Sequence, residues 1–291
     1  MSNLQKQLQR FFERERYDKI ISLIESLSEK EQTWDVMEHY IRALSNDWKH
    51  ERAIEVSMQF QEQGLNNPYW HYRLGYSYFR LDNKKKAKQF LLQAKELADS
   101  DEILISRIDD VWNALHGKPI KQEPKTKYIM VDEELIDEMD EHDVGYIIYP
   151  LWFGVNIYES GDVYEDCLKT FSIPQRYVFA MQWYSAEVNN GGHDQFYWNS
   201  TGIVWEDALK GFEAIKAFAI VDILKESAKR MGGSPSKNRN ERQDYLDKHQ
   251  VVFDDLDDLY YDNQADMMEL LILYIKENAK KFIYSGEIQI G

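Results

Sequence analysis

Glu187, His193 and Asp194 stand close together in the chain, interleaved with the side-chain amides of Asn189, Asn190, Gln195 and Asn199. A carboxylate and an imidazole at that range are groups that ligate a metal or exchange a proton as acid and base, and amides orient small polar ligands. The spacing argues against a metal. A glutamate, five residues and then a His-Asp pair is not an established ligand pattern, and seven scattered histidines give no convincing second ligand. Phosphate and nucleophile motifs are missing too, because Gly191-Gly192 lacks the Lys and Ser/Thr that complete a phosphate-cradling loop and no nucleophile elbow occurs. Two readings stay open. One is a buried corner whose amides satisfy the backbone while Phe196, Tyr197 and Trp198 fill the core around it. The other is a pocket through which a small-molecule enzyme or sensor uses residues 187–199. The first is the expected arrangement, and no catalytic residue, cofactor or metal is assigned.

The elements that must hold this corner are legible around it. Asn189-Asn190-Gly191-Gly192 can leave a helix through positive φ, and Gln195 and Asn199, four residues apart, share one face of the helix that follows. The segment therefore predicts helix, sharp turn, helix. The first helix starts at Pro174, with Tyr177, Met181, Tyr184 and Val188 at core spacing. Residues 205–231 read as one long apolar-periodic helix stopped by Gly232-Gly233, residues 234–240 as a polar loop, and residues 242–261 and 264–282 as two closing helices. Upstream, Leu135, Ile136 and Met139 recur at helical spacing opposite a carboxylate face.

The N-terminal part has a different pattern. Leu74, Gly75 and Tyr78 are followed by Ala87, Leu91 and Ala94, with small residues where two helices would cross closely. This spacing resembles a tetratricopeptide repeat, with His71 at the usual tryptophan position and Trp70 beside it. A degenerate earlier copy aligns Tyr40, Leu44 and Ala53 with Leu74, Tyr78 and Ala87, and residues 101–116 read as a closing helix. Lys84, Lys85, Lys86 and Lys88 read as a solvated helix end. Pro119 and Pro124 lie in a stretch with little hydrophobic material. The expected organisation is thus a helical repeat domain at 1–117, a linker at 118–130 and an acidic helical domain at 131–291. The expected fold class is all-α, a short tetratricopeptide-like solenoid followed by a compact acidic helical domain.

Composition bounds the function. Hydrophobic residues at 43% and aromatics at 14% supply packed cores, so the chain is not a disordered one. The lone Cys167 excludes an internal disulfide, the N-terminal residues open no apolar leader, and the apolar stretch 146–158 is interrupted by Pro150 and Gly154, so a cytoplasmic protein with no membrane span is expected. The charge is segregated. Residues 1–120 hold 18 basic and 19 acidic side chains, whereas residues 121–291 hold 17 and 32, nearly the whole net charge of −16. A field confined to one half is suited to a basic partner and opposed to nucleic acid and anionic membrane, and it also favours solubility.

Gln182-Trp183, Glu187, Asn189, Asn190, Gly191, Gly192, Gln195, Phe196, Asn199, Ser200 and Gly202 together resemble the signature of the bacterial DNA-mimic protein family. Phe253, Leu256-Asp257, Tyr260-Tyr261, Leu270-Leu271, Tyr274-Ile275 and Asn278 resemble its closing helices, so the likeness spans residues 131–282. His193 departs from it, since the family more often places an aromatic such as Phe there. The resemblance implies an acidic all-α domain, one member type of which displaces DNA from a DNA-binding protein by presenting carboxylates where phosphates would lie. Duplex DNA carries one charge per ~1.7 Å of axis, so a mimic needs closely spaced acids on a rigid scaffold. Asp254, Asp255, Asp257, Asp258, Asp262 and Asp266 are the candidate face. Uninterrupted helix would set Asp254, Asp258, Asp262 and Asp266 at ~6 Å intervals. A turn at 261–264, the expected arrangement, would break the row and make Asp262 or Asn263 a capping group. The expected function is a non-enzymatic protein that engages a basic partner such as a DNA-binding protein, with an immunity protein neutralising a nuclease toxin as the alternative. Direct nucleic-acid binding is not expected.

Overall fold

The computed structural model describes residues 3–118 and 125–290, and residues 119–124 of the expected linker lie outside the described residues. The fold is all-α apart from one two-stranded sheet. The chain divides into two compact units, residues 1–123 and 124–291.

The first unit consists of α1 (Asn3–Glu13), α2 (Tyr17–Glu25), α3 (Trp34–Asn46), α4 (His50–Gln59), the single turn α5 (Gln61–Gly64), α6 (Pro68–Arg80), α7 (Lys84–Leu97) and α8 (Glu102–Leu115). Helix starts follow capping chemistry: the side chains of Asn67, Asn83 and Asp101 accept the amides of Trp70, Lys86 and Leu104. The crossing of α6 and α7 is as tight as its small residues require. Ala87, Leu91 and Ala94 are fully buried, and a methyl group on Gly75 would lie 2.8 Å from Leu91 Cγ. A buried leucine there contributes about 2 kcal/mol. Trp70 is also buried, its indole donating to the Ser57 carbonyl at 3.0 Å.

The second unit begins with β1 (Lys125–Val131), followed by α9 (Glu133–Glu138), α10 (Glu141–Ile147), α11 (Tyr149–Gly154), α12 (Gly161–Leu168) and α13 (Ile173–Trp198). A 3-10 turn (Ser200–Val204) leads to α14 (Trp205–Ala214), α15 (Phe218–Arg230), α16 (Arg239–His249), α17 (Asp254–Asn263) and α18 (Met267–Glu277), and β2 (Tyr284–Ile290) closes the chain. One continuous core runs through it, from Ile129 and Val131 through Phe179, Tyr184 and Phe212 to Tyr260, Ile275 and Phe282.

Three local expectations are corrected. Residues 125–130, assigned by composition to the linker, are strand: β1 pairs antiparallel with β2, Val131 opposite Tyr284 and Ile129 opposite Gly286. Ile129 and Val131 point into the core while Tyr128 is exposed, an alternation proper to a half-buried strand. The single helix expected over 205–231 is two, broken where Lys216 takes φ +62°, and the helix expected over 242–261 is also two, broken where Gln250 takes φ +47°. Neither break carries the glycine or proline that would announce it.

Candidate functional site

The amide-rich corner is a kink inside α13. Gly191 (φ −162°, ψ 27°) and Gly192 (φ 72°, ψ −174°) leave helical geometry, and the helix restarts at His193 in a new direction. The Gly192 conformation belongs to a region open essentially to glycine alone. Space gives the same requirement: a methyl group on Gly192 would come 2.2 Å from Asp257 Oδ2, and one on Gly191 would come 2.2 Å from Gln195 Oε1.

Breaking a helix strands backbone groups, and side chains collect them. At the end of the first leg, the Tyr261 hydroxyl donates to the Val188 carbonyl at 2.9 Å and Asn189 Nδ2 donates to the Ser185 carbonyl at 2.8 Å. At the start of the second, Asp257 Oδ1 accepts the His193 amide at 2.9 Å and also the His193 ring at Nδ1, at 2.5 Å. A carboxylate reaching over from α17 thus serves as the cap that a local Ser or Asp usually supplies. Because that carboxylate accepts, Nδ1 carries the proton, and Nε2 accepts from the Tyr184 hydroxyl at 2.6 Å. Tyr184 is enclosed, and burial pushes its hydroxyl well above the ordinary tyrosine range, so it stays a donor. Glu187 spans the kink on the outer side, its Oε2 accepting from Gln195 Nε2 at 2.7 Å and from Asn199 Nδ2 at 3.0 Å.

The far end of the second leg is held from α16. Arg242 is buried and donates to the carbonyls of Tyr197 (2.9 Å), Asn199 (2.6 Å) and Ser236 (2.7 Å), while Arg239 and Gln243 both donate to the Trp198 carbonyl. Burial and the neighbouring Arg239 push the Arg242 guanidinium down to about 10, which leaves it charged at neutral pH. Gly202 makes room for it, since a methyl group there would lie 2.6 Å from Arg242 Nε. Ser200 offers its carbonyl to the same guanidinium at 3.5 Å. Phe196 and Tyr197 are buried, Phe196 edge-on to Tyr184 with centroids 5.0 Å apart.

The six aspartates singled out as an acidic face divide by role. Asp257 points inward to His193. Asp255 is clamped by Arg230 through two bonds of 2.6 and 2.7 Å, which holds its carboxyl below the usual carboxylate range. Asp254, Asp258 and Asp262 remain exposed on α17 at i, i+4 and i+8, a row on one face with ~6 Å between successive positions. α17 continues to Asn263, so the turn falls after it. Asp266 is set apart from the row at the N-cap of α18, where its side chain makes no capping bond. Neither Asp262 nor Asn263 becomes the cap of α18; Asn263 donates back to the Leu259 carbonyl instead. Outside the row, Asp194 is exposed, and partial burial with the charges of Asp257 and Asp247 raises its carboxyl above the usual range.

Residues 169–278, from just before α13 through α18, match the family model described as DMP19-like protein. These residues form a DMP19-like domain. It contains the kink and the aspartate row, and the match does not extend into the N-terminal unit. No curated protein and no solved structure matches the chain. The DMP19-like family is not a known enzyme family and is associated with a protein-binding role of the DNA-mimic type.

Within the DMP19-like domain, Glu187, His193 and Asp194 do not converge on a common space. Glu187 is occupied by two amides, His193 has no exposed surface, and Asp194 faces outward. A cavity of about 250 Å³ does adjoin the first leg of α13, lined by Met181, Gln182, Ser185, Phe212, Met267 and Leu271 among others, and of the residues at the corner itself Asn189 lies on its wall. Asn190 lies exposed on the outer side of the turn. Among the described residues no group of three or more His, Cys, Asp or Glu side chains could hold a metal ion, and no helix is long and apolar enough to cross a membrane. Asp257 as a remote cap and Arg242 as a carbonyl clamp were both missed as such by sequence reasoning. Their partners lie 64 and 45 residues away, and no short-range pattern announces them.

Proposed function

We propose that the DMP19-like domain is a non-enzymatic binding module that engages the basic, nucleic-acid-binding face of a partner protein in a bacterial cytoplasm. The observation that carries this reading is the row Asp254, Asp258 and Asp262. These are exposed carboxylates on a helix whose own residues Asp257, Tyr260 and Tyr261 are tied into the kink of α13. Rigid spacing is what distinguishes a mimic from a merely acidic tail, because a preorganised row meets a phosphate-binding surface without ordering cost on binding. The net charge of the second half supplies the long-range field that speeds encounter with a basic surface. The corner at residues 187–202 then has the role of a scaffold.

The test is binding of the full chain to a panel of DNA-binding proteins and nucleases at several salt concentrations, with and without competing duplex DNA. The reading expects at least one partner that is held at low salt, released at raised salt and lost when DNA competes. Binding unaffected by salt, and unchanged after Asp254→Asn, Asp258→Asn and Asp262→Asn, would remove it. If the partner is a toxic nuclease, the same field makes the chain an immunity protein, and co-expression should rescue growth.

The cavity beside Asn189 favours one other reading, a sensor for a small, largely apolar ligand held by the amides of Gln182, Asn189 and Gln264. Its test is a thermal-shift series with small aromatic amides, in which no ligand raising Tm would count against it.

A further inference from the structure

A second cavity in the second unit, of about 220 Å³, lies where α12, the start of α13, α14 and the loop before α16 meet. Its wall carries three carboxylates, Glu165, Glu206 and Asp207, and three cations, Arg176, Lys210 and Lys237. Tyr164 completes the wall on the α12 side. Tyr164 and Glu165 precede the segment that matches the family model, so that segment alone does not build the cavity.

Four of these charges are engaged with one another. Arg176 donates to Asp207 Oδ2 from Nε at 3.0 Å and from Nη2 at 2.8 Å, and lies 3.8 Å from one oxygen of Glu165, whose other oxygen accepts from Lys237. Three groups on the wall are left. Glu206 and Lys210 stand four residues apart on α14, side by side on one face of the helix with about 5–6 Å between their Cβ atoms. Neither meets an opposite charge within ion-pair distance among the described residues. Tyr164 is 2% exposed, and its hydroxyl has no hydrogen-bond partner among the described residues. Burial, and after it the charge of Asp207, raise that hydroxyl above the ordinary tyrosine range, so it keeps its proton and is a donor. An enclosed donor without an acceptor is uncompensated for its lost hydration.

The wall charges balance, so a ligand of either net sign is repelled as well as attracted, whereas a ligand that carries both charges uses both. We infer that this cavity binds a free α-amino acid, its ammonium on the Glu206 carboxylate and its carboxylate on the Lys210 ammonium and the Tyr164 hydroxyl. Size agrees. A cavity of about 150 Å³ holds benzene, so one of 220 Å³ admits a ligand of about nine non-hydrogen atoms, which is the size of serine, threonine or asparagine. The mostly polar wall suits the short polar side chains of the same amino acids.

The site shares no residue with the acid row and does not depend on the reading of that row. The experiment is calorimetric titration of the full chain with L-serine, L-threonine and L-asparagine, each beside its N-acetyl and its carboxamide derivative. At least one free amino acid should bind ~10-fold or more tightly than both of its blocked forms. Lys210→Gln should bring the free amino acid down to the affinity of its carboxamide while leaving the carboxamide itself unchanged. Tyr164→Phe keeps the ring and should weaken the free amino acid about 5-fold without lowering Tm, since the hydroxyl bonds nothing in the chain. Lys248→Gln, at an exposed position of α16 away from the cavity, should change nothing. No heat with any of the three amino acids, equal binding of free and blocked forms, or an equal loss with Lys248→Gln would overturn the assignment.

Discussion

Asp257 and Asp258 are neighbours in the chain and opposites in the fold. Asp257 turns inward and supplies both a helix cap and a ring partner to an enclosed histidine, whereas Asp258 turns outward into the row with Asp254 and Asp262. The same contrast separates the kink of α13 from the exposed face of α17. At the kink, Asn189, Asp257 and Tyr261 take up backbone groups next to the bend, and Glu187 joins Gln195 and Asn199 across it. Along α17, Asp254, Asp258 and Asp262 stand exposed in a row, and only Asp255 among the exposed acids is tied to a neighbouring helix, by Arg230. Polar density therefore marks architecture in one place and, on the reading proposed above, recognition in the other.

Substitutions can break this comparison in order of size. Gly192→Ala carries the largest expected effect, about 4 kcal/mol, because the backbone conformation is closed to alanine and the new methyl group meets the Asp257 carboxylate. Urea unfolding of the variant measures it. Asp257→Ala leaves two donors of an enclosed histidine unpaired and should cost about 3 kcal/mol, read in the same way. Glu187→Gln keeps the shape but removes the charge from two hydrogen bonds, with an expected loss of about 1 kcal/mol. Asp258→Ala should leave stability within about 0.5 kcal/mol while weakening salt-sensitive binding to a basic protein. If Asp257→Ala proved as harmless to folding as Asp258→Ala, the division into architecture and surface would fail.

Much of this division was legible in the sequence, and what was hidden has a common cause. The kink announced itself because Asn-Asn-Gly-Gly states its backbone requirement locally, and the pairing of Gln195 with Asn199 follows from helical period, with Glu187 as the shared acceptor. The close crossing at Gly75, Ala87, Leu91 and Ala94 was readable for the same reason. Long-range partners were not. β1 is a short strand whose mate lies at the other end of the unit, and Arg242 looks like any helix-start arginine until the carbonyls of residues 197–200 come to meet it. The breaks at Lys216 and Gln250 were invisible because ordinary side chains took left-handed geometry under tertiary constraint. The candidate acid face differs from expectation in two places, since α17 runs through Asn263 and so keeps Asp262 in the row, and Asp257 turns inward.

The central claim is that the exposed acid row, and not the kinked corner, is the surface that recognises a partner. Its most direct test is affinity capture from native bacterial lysate with two baits, the full wild-type chain and the chain carrying Asp254→Asn, Asp258→Asn and Asp262→Asn. Both are washed at low and at raised salt, and the bound proteins are identified by mass. The account predicts a basic, nucleic-acid-binding protein on the wild-type bait at low salt, released at raised salt and missing from the variant. The same proteins on both baits, or a set indifferent to salt, would contradict it.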